Sequence, residues 1–213
     1  MKGARFYSAE GPRERGFAYL EISVWSVVLL PVVLLAAGVV GVVHDYIRMQ
    51  NIPVSAAREH SAPALRFRVE SAGARLDVNK DALGLVIRLI RDRMVADGEK
   101  SLVGGIADVS AVACFWVFGV DQTTGKLTSR EREVCERKGA LSDKMSLEQD
   151  LAKYQASASG YPAFAVGSAP RYLEYAVLIG AGVAGKVIGV PGVAEESMVQ
   201  FVHISLPREE VSL

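Results

Sequence analysis

The sequence predicts an α+β protein: a long N-terminal transmembrane helix followed by a small exported domain in which an antiparallel sheet packs on helices. Three observations lead there. Residues 22–43, ISVWSVVLLPVVLLAAGVVGVV, form an uncharged apolar run. Residues 81–97 repeat Leu83, Val86, Ile87, Ile90 and Met94 at helical spacing. Downstream, segments rich in Val, Phe and Trp alternate with turn chemistry such as that from Asp121 to Gly125.

The apolar run comes first. At about 1.5 Å per residue it covers roughly 33 Å, enough to cross the hydrocarbon core of a bilayer. A buried helix of a soluble protein would carry a polar stripe, and this one has none. The rival is a cleaved secretory signal, whose apolar region should span about 7–15 residues before a small-residue cleavage site. The run is too long for that, although Ala36, Ala37 and Gly38 mimic such a site. Lys2, Arg5, Arg13 and Arg15 precede the span, whereas Arg48 and Arg58 follow it, so the N-terminus is expected in the cytoplasm and the bulk of the chain outside.

The residues at the lip of the run narrow the reading. A basic leader ends at Gly16; Phe17 follows, and a lone Glu21 stands just before the uncharged stretch. Phe17 and Glu21 are an i, i+4 pair on one helix face. A cut after Gly16 would place a new ammonium beside that face. A carboxylate at mid-membrane costs roughly 2.5–3.5 kcal/mol, less near the edge, and an ammonium from the same or a neighbouring subunit would offset it. Over residues 11–45 this arrangement resembles the type IV prepilin signal, which is cut between glycine and a usually aromatic first mature residue and carries glutamate at the fifth mature position. Chain size and layout are most similar to the TadE/TadF-type minor pseudopilins of tight-adherence pili, since about 165 residues follow the span. Pro31 comes later than the proline common in TadE-like proteins, and Ile22 replaces the tyrosine that often follows the glutamate in Flp prepilins. TadE, TadF and general pseudopilin readings therefore stay open.

This divides the chain into a leader (1–16), an apolar assembly helix (17–51) and an exported α+β domain (52–213). The helix is expected to stop near Asn51, Ile52 and Pro53, because the residue before proline disfavours helix. Residues 65–70 alternate weakly. The helix at 81–97 has Asp81 as its N-cap and Gly98 just past its end, with Arg88, Arg91 and Arg93 on a solvated face. Residues 106–120 and 126–135 form a hairpin that brings Cys114 and Cys135 together. In an oxidising compartment that pair is expected to be a disulfide, with two buried thiols as the alternative. A helix over 146–157 and strands near 172–180 and 197–206 complete the domain, with mobile loops between 156 and 194.

Signs of chemistry are absent. Balanced charge, with 24 basic and 24 acidic residues, argues against nucleic acid as a partner. Residues 180–186, GAGVAGK, satisfy both G-x-G-x-x-G and G-x-x-x-x-G-K, but Val187 stands where a P-loop needs Ser or Thr, and no helix follows. A flexible loop connecting strands is expected there. His44, His60 and His203 have no ligand spacing, and Glu131, Glu133 and Glu136 interleave with Arg130, Arg132 and Arg137 as on a solvated face. No cofactor, metal or catalytic site is expected. The resemblance implies a non-enzymatic pilus subunit in the bacterial inner membrane, with its C-terminal domain periplasmic. Its partners would be other pilin or pseudopilin subunits, a prepilin peptidase, the inner-membrane assembly platform and lipid. The alternative is an uncleaved signal-anchored binding module or enzyme.

Overall fold

In the computed structural model, residues 12–60, 65–70, 73–78, 80–121, 123–157, 164–166, 169–171, 175–188 and 197–206 are described. Pro12 opens the first helix, at the position where a missing N–H costs least. This helix, α1 (Pro12–His60), then runs for 49 residues. Its most apolar window is long and apolar enough to cross a membrane and is 0% buried by the rest of the chain. Ser23 and Ser26 donate their hydroxyls to the carbonyls of Tyr19 and Ile22, so neither needs water.

The expected stop near Pro53 is corrected: α1 continues to His60 with Pro53 inside it. Proline in a helix interior removes one backbone bond and costs about 3 kcal/mol. Met49, Ile52, Ala56 and Ala57 are at most 5% exposed, and they recur on one face. Burying the two large side chains alone yields about 1.5–3 kcal/mol each, so packing outweighs the proline.

A hairpin follows, β1 (Leu65–Glu70) with β2 (Gly73–Val78), where the sequence showed only weak alternation. Next is α2 (Lys80–Ser101), which buries Leu83, Val86, Ile87, Ile90 and Met94 as their spacing predicts. Gly98 lies within this helix rather than past its end. A Cβ there would fall 2.5 Å from Val109 Cγ1, so glycine lets the helix approach the sheet.

The sheet is built from β3 (Ile106–Val120), β4 (Leu127–Lys138), β7 (Tyr175–Val187) and β8 (Met198–Ser205), in the order β4-β3-β7-β8 with all neighbours antiparallel. The β3–β4 turn forms as its residues predict: Asp121 Oδ1 accepts from the amides of Thr123 and Thr124, and Gly125 takes φ 67°. A short 3-10 helix (Ser142–Lys144) and α3 (Glu148–Ser157) lie between β4 and a small ribbon of β5 (Phe164–Val166) and β6 (Ala169–Arg171).

Strand alternation sorts the core into two layers. Ala111, Ala113, Phe115, Ile179, Ala181 and Val183 face the C-terminal part of α1 and α2. Val112, Cys114, Trp116, Phe118 and Leu178 face Met145, Leu147 and Leu151 around α3. The sheet is thus covered on both faces, and the C-terminal part of α1, with Met49, Ile52, Ala56 and Ala57, belongs to its core.

The GAGVAGK segment is not a loop. It occupies the buried β7, whose residues 180–186 pair with both β3 and β8. Its glycines answer to packing. A Cβ on Gly180 would meet Trp116 Cη2 at 2.4 Å, one on Gly182 would meet Leu147 Cδ2 at 2.8 Å, and one on Gly185 would meet Ile106 Cγ2 at 2.4 Å. The mobile loops expected between 156 and 194 are therefore displaced by strand over 175–187, and the remainder of that expectation falls mostly outside the described residues.

Candidate functional site

Two places on α1 carry groups that an apolar helix does not need for its own stability. The first is the N-terminal strip. Gly16 and Phe17 lie in the helical backbone, and their side chains fall outside the described residues. Glu21 is one turn further on, fully in the helix and exposed. It borders a shallow strip with Trp25, Leu29 and Val33, successive residues at i+4 spacing. Ile22 and Trp25 are 63% and 56% exposed, so the strip is apolar surface with one carboxylate at its rim.

The second is Asp45, two residues past the uncharged run. Its side chain is 0% exposed. Oδ1 accepts the Val103 amide at 2.8 Å, and Oδ2 accepts those of Gly105 at 2.7 Å and Ile106 at 3.1 Å. His44 Nδ1 lies 3.3 Å from Oδ1. Burial would raise this carboxyl, but the backbone donors and His44 outweigh it and hold the group below its ordinary value. Asp45 thus fastens the α2–β3 loop to α1, where the bare helix enters the head. The available sequence signal was a lone Asp two residues beyond an apolar run, with a Gly-Gly pair elsewhere to offer free amides.

Charges on the head cross-link its elements. Glu136 on β4 accepts from Arg88 Nε at 3.0 Å and Arg91 Nη1 at 2.9 Å, tying α2 to the sheet; Arg88 keeps its expected solvated position at 64% exposed, whereas Arg91 is 17% exposed. Arg130 forms a two-pronged pair with Glu148, at 2.9 and 2.7 Å, joining β4 to α3. Hydrogen bonding from Arg130 holds Glu148 below its ordinary value, and Arg130 is pushed up in turn. Arg137 donates to the carbonyls of Ser142 and Met145.

Cys114 and Cys135 are directly paired across β3 and β4, bonded, with Cα atoms 4.1 Å apart. Closing a loop of 21 residues in sequence is worth about 3 kcal/mol in the chain-entropy model. Replacing both cysteines by alanine should lower the unfolding free energy by about that amount, measured by urea titration; a change below about 1 kcal/mol would leave the ladder, not the bond, as the hairpin's support. Glu133 lies close to the same sulfurs, but bonded cysteines present no thiolate to a metal. The three histidines do not converge: His44 adjoins Asp45, His60 ends α1, and His203 lies on β8, where burial and Arg58 lower its pKa.

Comparison with protein-family models, curated proteins and solved structures finds no match to this chain.

Proposed function

We propose that the chain is a minor pilin or pseudopilin, a structural subunit of a Tad-type pilus or a related secretion filament, cut after Gly16 by a prepilin peptidase. The carrying observation is the register of Gly16, Phe17 and Glu21 ahead of an uncharged run. The uncovered apolar length of α1 supports it, because such a surface suits either lipid or the helices of neighbouring subunits. The subunit would sit in the bacterial inner membrane, N-terminus inside and head in the periplasm, before moving into the filament. Glu21 would meet the Phe17 ammonium of its own or an adjacent subunit. Asp45 makes the helix and head move as one piece, so the position of the helix in a filament sets that of the head.

Mass spectrometry of membrane-extracted protein from cells holding the cognate peptidase should find Phe17 as the N-terminus; an intact leader would sink the processing claim. Glu21→Ala should insert normally yet lose at least about tenfold in filament incorporation, equivalent to about 1.4 kcal/mol. Unchanged incorporation would reduce Glu21 to an interfacial residue.

A further inference from the structure

We propose that the loop carrying Val103, together with Ile188, forms an apolar collar that rests in the lipid headgroup layer and fixes the height of the head on the bilayer. This rests on the reading of α1 as a membrane span. The height follows from contacts. Gly105 is pressed against α1, since a Cβ there would fall 2.6 Å from Val42 Cα. Asp45 then holds the amides of Val103, Gly105 and Ile106. The head therefore meets the helix within the last turn of the uncharged run, which ends at Val43.

Hydrocarbon can cover only what lies before that contact. Residues 22–40 rise about 28 Å, close to the roughly 30 Å core of a bilayer. The collar then stands at the boundary. The chain has no charge between Lys100 and Asp108, and Val103 is 67% exposed although its amide is held. Ile188, 43% exposed, is tied to the same loop by its amide, 3.0 Å from the Gly105 carbonyl. One residue beyond Asp45, Tyr46 is 47% exposed, and its ring meets that of Phe201 in a T-shaped contact, centroids 4.7 Å apart. A half-exposed tyrosine at this level is what the aromatic belt of a membrane interface uses. The contact of Gly105 with Val42 joins this loop to the span, whose Val40 and Val43 are exposed, and that argues for lipid over a second copy of the chain as its occupant.

The test uses the full chain in vesicles of phosphatidylethanolamine and phosphatidylglycerol, with nitroxides on Val103→Cys and Ile188→Cys. The native cysteines are bonded and do not take the label. Val33→Cys reports the span. Thr123→Cys reports the far end of β3, whose 15 residues carry it about 45 Å from the junction. Collisions with oxygen relative to a water-soluble nickel chelate should place both collar labels between these two controls. Collar values equal to Thr123→Cys, with Val33→Cys reading as lipid, would overturn the collar and leave the span standing. Low collision with both reagents would put protein against the collar and overturn it in favour of a subunit contact. An aqueous reading at Val33→Cys would remove the span and the collar together.

Discussion

Replacing Asp45 with alanine should lower the stability of the head by about 3–5 kcal/mol, because three backbone donors then lose their acceptor at a buried junction. Unfolding of the full chain in detergent micelles, followed through the buried Trp116, measures this; a loss below about 1 kcal/mol would mean the loop finds other partners. Acid gives an independent check. The native carboxyl is held below its reference value of 3.8, so the unfolded chain takes up the proton first as pH falls. The stabilisation is complete well above that value, shrinks as pH drops through it, and is gone below the depressed native pKa. Glu148 and Asp92 are lowered too and follow the same sign, so the wild-type curve alone is a composite. Subtracting the Asp45→Asn curve isolates the share of Asp45, and a difference flat in pH would refute the assignment.

The sequence announced the parts of this fold that depend on composition and local spacing. An uncharged run needs no context to be read, and Leu83 through Met94 declare a helical face by period alone. The β3–β4 hairpin was legible because Asp121 and Gly125 are turn residues by chemistry, which in turn aligned Cys114 with Cys135. The role proposed for Glu21 rests on its register with Gly16 and Phe17 in the chain alone.

What escaped was whatever depends on a distant partner. Pro53 signalled a helix end, yet Met49, Ile52 and Ala57 bury against α2 and the sheet and override it. Arg91 looked solvated because Glu136, which helps to cover it, lies 45 positions away in the chain. Asp45 was missed for the same reason: its partners are backbone amides roughly sixty residues on, and an amide has no signature in a sequence. A polar residue just past an apolar run reads as the end of that run, whereas here it is the point of attachment.

The glycines of β7 give the second large expected effect. Gly180→Val should cost about 3 kcal/mol or more, since even its Cβ would fall 2.4 and 2.5 Å from two atoms of the Trp116 indole, which is 1% exposed. The cause can be separated from β-propensity, which would favour valine in a strand. Trp116 Nε1 has no hydrogen-bond partner among the described residues, so Trp116→Leu sacrifices packing without breaking a bond. In that background Gly180→Ala should become close to neutral, whereas in the wild type it should cost about 1–3 kcal/mol; equal costs in both would detach Gly180 from the indole. A phosphate-cradling loop makes the opposite demand. It needs amides free to face an anion, whereas residues 180–186 are paired with Cys114 and its neighbours on one side and with β8 on the other. Millimolar ATP or NAD should therefore leave the unfolding midpoint of the wild type unchanged, and a nucleotide-dependent rise would return these glycines to ligand binding.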